Sequence, residues 1–113
     1  MFRLEPAARV WLVLGKTDMR KAINGLSGLV ANNLSLNPLS GEYFVFCGRQ
    51  RNSVKILYWD KNGYCLWLKR LEEDRFRWPR TSREAQAISG EQLSWLLSGL
   101  DLAQAHPVRR YSA

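Results

Sequence analysis

Short apolar runs rich in Val, Ile, Phe, Tyr and Trp recur along this chain, and five of them predict β-strands. Side chains of these types suit the pleated, half-buried surface of a sheet. The predicted strands are Val10–Leu14, Tyr43–Cys47, Val54–Trp59, Tyr64–Leu71 and Arg75–Trp78. Asn62-Gly63 separates the third strand from the fourth and predicts a tight hairpin, because this pair readily supplies positive φ.

A helical period appears in two places. The first helix is predicted to begin at Thr17 as N-cap, with Asp18 facing the positive end of the helix dipole. Its apolar face follows at spacings of four, three and four residues: Met19, Ile23, Leu26 and Val30.

The second predicted helix has a capping box at its start. Ser89 is followed three residues later by Gln92, so that each side chain can bond to the other residue's backbone amide. Leu93, Leu96 and Leu97 give this helix an apolar face, and Gly99 is placed to end it.

These elements predict an α+β fold, an antiparallel β-meander with two packed helices in the order β-α-β-β-β-β-α. The 113 residues suit one domain. We predict a single domain over residues 1–102 and a flexible tail over residues 103–113.

The hairpin strands are apolar on both faces. Side chains alternate across a strand, which puts on one face Lys55, Leu57, Trp59, Tyr64, Leu66, Leu68 and Arg70. On the other face are Val54, Ile56, Tyr58, Cys65, Trp67, Lys69 and Leu71. Such a sheet must be covered twice. With two helices available, we expect one surface to remain for a homo-oligomer contact or a nucleic acid.

The net charge of +7 is concentrated in one segment. Residues 49–83 hold ten of the 17 Lys and Arg and four of the ten Asp and Glu, which leaves seven cations and six acids elsewhere. A basic excess among aromatic residues favours a surface for a polyanion. The alternative is that the aromatic residues form the core and the cations lie on solvated edges.

The predicted nucleic-acid-binding residues follow from this charge pattern. They are Arg20, Lys21, Arg49, Arg51, Lys55, Lys69, Arg70, Arg75, Arg77, Trp78 and Arg80. Arg20 and Lys21 are included because cations in the first turn of a helix oppose its dipole, unless an anion binds there. Alternatively, both extend into water, or Arg20 pairs with an acid such as Asp60.

The sequence offers little for catalysis. The ten acids are scattered and have no ligand-like spacing, and the one histidine, His106, lies in the predicted tail. Cys47 and Cys65 form neither a disulfide framework nor a metal cluster and indicate small buried side chains in a reducing cytoplasm. No apolar run approaches the roughly 20 residues of a membrane span. We therefore expect no enzyme activity, metal or cofactor.

Three blocks of the sequence resemble the TnpB-type accessory proteins of insertion sequence 66 elements. They are TDMRKAINGL, NPLSGEYFVF and KILYWDKNGYCLWLKRLEEDRFRWP. The family pattern Lys-x-Leu-x-Trp-Asp falls on Lys55, Leu57, Trp59 and Asp60, and Phe-x-Trp-Pro falls on Phe76, Trp78 and Pro79. Cys65 departs from the pattern, which usually has an aromatic or aliphatic residue there.

The resemblance implies a role in DNA transposition, in a bacterial cytoplasm, beside a separate transposase subunit. We expect a non-catalytic accessory protein that binds DNA through a basic and aromatic strand surface. One alternative is a protein-interaction module that docks on the transposase without touching DNA. The other is a small metal-dependent nuclease.

The scattered acids lead to a direct prediction: the purified protein neither cuts nor joins DNA, with or without Mg²⁺ or Mn²⁺. Metal-dependent strand cleavage needs two or three acids that converge on the ion. A plasmid-nicking assay measures this. Reproducible nicking that disappears in Asp18→Ala or Asp60→Ala would contradict the prediction.

Overall fold

A computed structural model describes Leu4, residues 8–78 and residues 85–98. Its strands are β1 (Arg9–Val13), β2 (Tyr43–Cys47), β3 (Ser53–Asp60), β4 (Gly63–Arg70) and β5 (Ala85–Ser89). The helices are α1 (Ile23–Gly28), continued by a π-helical turn over Leu29–Asn33, and α2 (Gly90–Leu97). The α+β class and the element order β-α-β-β-β-β-α are confirmed.

The strands form one sheet in the order β4-β3-β2-β1-β5. β2, β3 and β4 are sequential antiparallel neighbours, as the meander predicts. β1 instead pairs parallel with β2, because α1 and the π-helical turn carry the chain back to the starting end of the sheet. β5 closes the other side by pairing antiparallel with β1.

Both faces of the sheet are covered. On one face α1 and the π-helical turn contribute Leu26 and Val30 to a buried cluster with Val13, Phe44, Phe46 and Leu57. On the other face Phe76, Trp78, Leu93 and Leu96 pack on Val10, Leu12, Val45 and Ile56. The register of β3 with β4 confirms the predicted division of the hairpin into two faces. In the described part of the chain, neither face of the sheet is therefore left open as a whole, although one surface was expected to remain.

The first helix begins later than predicted. Ala22, not Thr17, is its N-cap, and no side chain caps it. The backbone amide of Thr17 donates to the carbonyl of Cys47 at 2.9 Å, which holds this stretch beside the end of β2. Arg20 and Lys21 therefore precede α1 and do not lie in its first turn. The predicted apolar face is nevertheless correct, since Met19 and Ile23 pack against the cluster that contains Leu26 and Val30.

The fifth strand lies elsewhere than predicted. Residues 75–78 are not a strand, and within them Phe76 and Trp78 are buried. The amide of Phe76 bonds at 2.7 Å to the carbonyl of Arg51, in the loop between β2 and β3. The loop provides one hydrogen-bond partner for this segment, whereas a neighbouring strand would provide a ladder of backbone hydrogen bonds. β5 comes from residues whose sequence predicts no element.

The hairpin turn is shifted by one residue. Asp60 pairs with Gly63, so that Lys61 and Asn62 form the loop. Lys61 has the positive φ, 55°, that was expected at Asn62-Gly63. The predicted end of the second helix at Gly99 and the predicted tail over residues 103–113 lie outside the described residues.

The capping box of α2 is confirmed. The Ser89 hydroxyl accepts from the amide of Gln92 at 3.1 Å, and the Gln92 side chain accepts from the amide of Ser89 at 3.0 Å. This cap fixes the point where β5 turns into α2 and directs Leu93 and Leu96 into the core.

We predict that Ser89→Ala lowers the free energy of unfolding by about 1 kcal/mol, because one orphan amide of α2 loses its acceptor. Urea denaturation measures this. Ser94→Ala is the matched control, since Ser94 is exposed in the middle of the same helix. Equal stability of the two variants would contradict the assigned cap.

Candidate nucleic-acid interface

Two loops meet at the end of the sheet where β1 and β2 finish. One loop, residues 14–22, links β1 to α1, and the other, residues 48–52, links β2 to β3. Together they carry five cations, Lys16, Arg20, Lys21, Arg49 and Arg51, against one acid, Asp18. We call this set of two loops the basic end.

An open cleft of about 590 Å³ lies between these loops. It is lined by Lys16, Thr17, Asp18, Met19, Gly48, Arg49, Gln50, Asn52 and Ser53. The loops come close because residue 48 is glycine: a Cβ there would lie 2.7 Å from Cγ of Met19. Among the described residues, Thr17 is the one polar residue that is buried. The cleft thus combines hydroxyl and amide groups with cations at its mouth.

Arg20 is paired within its own loop. Its guanidinium Nη2 lies 2.8 Å from Oδ2 of Asp18, and its backbone amide donates to Oδ1 of the same carboxylate. These bonds lower the pKa of Asp18 to about 2, the side-chain bond from Arg20 being the largest cause. Asp18 is therefore ionised across the neutral range and compensates the charge of Arg20. The alternative partner considered from the sequence, Asp60, lies at the other end of the hairpin.

Lys55 anchors the first loop to the sheet. It projects from β3, and its Nζ donates to the carbonyls of Met19 at 2.9 Å and Lys21 at 2.8 Å. The carbonyls that precede α1 thereby gain a charged donor. Lys55 was predicted to contact nucleic acid, and the structure gives its ammonium group a structural use.

The predicted residues of β4 lie on opposite faces of the sheet. Nζ of Lys69 donates to the carbonyl of Leu97 at 3.2 Å, at the C-terminus of α2. Arg70, on the face of α1, forms an ion pair with Glu72 at 3.1 Å. These two cations therefore do not share one surface.

The remaining predicted residues lie in the segment that follows β4, and their side chains have different environments. Arg75 donates from Nε to the carbonyl of Gln50 at 3.0 Å, in the second loop of the basic end, and Arg77 is exposed. Trp78 is only 6% exposed, and its indole N–H donates to the carbonyl of Val13, so it belongs to the core. Arg80 lies outside the described residues.

Charge balance favours the two loops over this segment. Residues 70–78 hold three cations, Arg70, Arg75 and Arg77, and three acids, Glu72, Glu73 and Asp74. The sequence reasoning missed Lys16 and the polar residues of the cleft, because it counted charge along the chain. Lys16 belongs to the cluster only because β1 and β2 run parallel and end side by side.

The described residues contain no group of three or more His, Cys, Asp or Glu side chains arranged to hold a metal ion. Burial raises the pKa of the Cys47 thiol to about 12, so this thiol is neutral at physiological pH. None of the helices in the described part is long and apolar enough to cross a membrane.

We predict that Lys55→Met lowers the free energy of unfolding by about 1–2 kcal/mol, because two carbonyls lose a charged donor while water can partly replace it. Thermal and urea denaturation measure the loss. Lys61→Met, an exposed lysine of the hairpin turn, is the control and should change stability by less than about 0.5 kcal/mol. Equal effects would show that Lys55 does not anchor the loop.

Comparison with known proteins agrees with the sequence resemblance. A family model described as IS66 Orf2 like protein matches residues 8–107. The uncharacterized protein y4hO of Sinorhizobium fredii is 48% identical over 93 residues, which cover 82% of this chain and 81% of the relative. The uncharacterized protein y4jC of the same organism is 34% identical over 104 residues, covering 90% and 89%. No solved structure matches. The chain belongs to the IS66 Orf2-like family of transposition accessory proteins.

Proposed function

We propose that this accessory protein binds DNA through the basic end and acts with a separate transposase subunit in the bacterial cytoplasm. The observation that carries the proposal is the placement of five cations and one acid on two adjoining loops around a cleft. Because Asp18 is already paired with Arg20, it does little to repel an incoming phosphate. Exposed Lys and Arg side chains on neighbouring loops are suited to the phosphates of a nucleic-acid backbone.

The opposite end of the sheet supports this choice by contrast. Its described charged residues are Arg9, Glu42, Asp60, Lys61 and Glu91, with more acids than cations. Arg9 is moreover paired with Glu42 at 3.4 Å. Residues 70–78 leave the sheet at the same end as the two loops, and with them that end holds eight cations and four acids. The positive charge of the described fold is therefore concentrated at one end of the strands, and a polyanion should approach the basic end.

Two other functions have less support. A module that docks on the transposase through a Trp-rich face would need exposed indoles, yet every described Trp is at least partly buried. A nuclease would need converging acids, and the described residues contain no such group. The cleft lining includes only one acid, Asp18.

We predict that the double variant Lys16→Gln/Arg49→Gln weakens DNA binding about equally on all sequences. It should also flatten the dependence of log K on log salt by up to about two phosphate equivalents. The measurement is fluorescence anisotropy with labelled element-end and unrelated duplexes between about 50 and 200 mM salt. The matched control, Arg9→Gln/Lys61→Gln, removes two cations from the opposite end and should keep the wild-type slope.

A third pair of substitutions separates the loops from the segment after β4. Arg75→Gln/Arg77→Gln should alter the slope less than Lys16→Gln/Arg49→Gln, because the acids of residues 72–74 already offset these two cations. If wild-type binding shows no salt dependence, or if all three double variants behave alike, the basic end is not the DNA-binding surface.

A further inference from the structure

β4 is an edge strand of unusual composition. Its eight residues pair with β3 on one side, and within the described part of the chain no strand lies on the other. Edge strands usually carry prolines, bulges or charges that prevent pairing with another chain. β4, with the sequence GYCLWLKR, has no proline, and its charges are confined to its last two residues.

An exposed apolar side chain marks this edge. Leu68 is 59% exposed, and it is one of two large hydrophobic residues of the described chain that are exposed; the other is Leu39, in the loop before β2. Leu68 lies on the α1 face of the sheet, in line with Leu66 and Tyr64, which are only partly buried against the cluster there. A row of apolar side chains thus follows the open edge.

The two ends of β4 have different chemistry. Lys69 and Arg70 occupy the last positions, where Arg70 is paired with Glu72. The hairpin end carries Asp60 and Lys61 and the edge-to-face pair of Trp59 and Tyr64, whose centroids lie 5.1 Å apart. Parallel pairing of two copies would place cation beside cation. Antiparallel pairing instead places Arg70 of each copy opposite Asn62 or Tyr64 of the other, at its aromatic hairpin end.

We propose that β4 pairs antiparallel with β4 of a second copy of this chain, joining two five-stranded sheets into one. Residues directly opposite in a continuous sheet share a face, so the two-fold axis passes near Leu66 or Trp67. In the first register Leu68 lies opposite Tyr64 of the second copy, and in the second register opposite its Leu66. Both registers bury Leu68 and keep the basic ends free.

Sedimentation velocity of the full chain, without DNA and at about 1–100 μM, tests the proposal. We expect a species of twice 13.1 kDa whose population grows with concentration. Leu68→Glu should raise the dimer dissociation constant by about a hundredfold or more, because pairing would remove water from a carboxylate. Its cross-strand neighbour Lys55 already donates to the carbonyls of Met19 and Lys21. Leu39→Glu makes the same change at the other exposed leucine and should leave the dimer intact.

Hydrogen exchange of the wild-type protein gives a readout that needs no variant to fold. Amides of residues 63–70 should exchange more slowly as concentration rises, while those of β5, the other edge, should not change. A wild type that stays monomeric would overturn the proposal and leave the edge to a different partner. A dimer that survives Leu68→Glu, or a β4 edge unprotected at high concentration, would also overturn it.

Discussion

The structure depends on one constraint: a five-stranded sheet that is apolar on both faces has to be covered on both. α1 and the π-helical turn cover one face, and α2 with Phe76 and Trp78 covers the other. Both helices of the described residues cover the sheet in this way, so neither sheet face as a whole is left for a ligand. What remains accessible is the perimeter of the sheet, namely its two ends and its edges. Both the charge excess at the basic end and the exposed Leu68 are features of this perimeter.

The parallel pairing of β1 with β2 makes the basic end. Since the two strands finish side by side, the loops that follow them must share space. Gly48 allows the close approach to Met19, and Lys55 ties the first loop to β3 through two carbonyls. One cation is thus used to hold the loop that displays others. This explains why a count of Lys and Arg along the chain overestimates the charge that is free to meet a phosphate.

The sequence predicts well what local patterns determine. Alternation gave the hairpin faces, and the Ser89 and Gln92 pair gave the start of α2. The sequence patterns fail where a group distant in the chain determines the local structure. Thr17 and Asp18 have the composition of a helix start, but the carbonyl of Cys47 and the ammonium of Lys55 hold that stretch non-helical. Residues 85–89 lack a strong strand signal and become β5 because the open side of β1 accepts them.

The same distinction applies to the candidate interface. Its cations are visible in the sequence, but their grouping is not, because it arises from topology: Lys16 and Arg49 are far apart in the chain and line one cleft. Lys55 and Lys69 both lie in apolar strands of the same hairpin. They nevertheless project from opposite faces of the sheet and donate to different backbone carbonyls. Pairing at the β4 edge would add a further geometric consequence. Antiparallel strands point the two basic ends in opposite directions along the strand axis, about one eight-residue strand length, roughly 26 Å, apart. A dimer built in this way would present one group of cations at each end of the joined sheet.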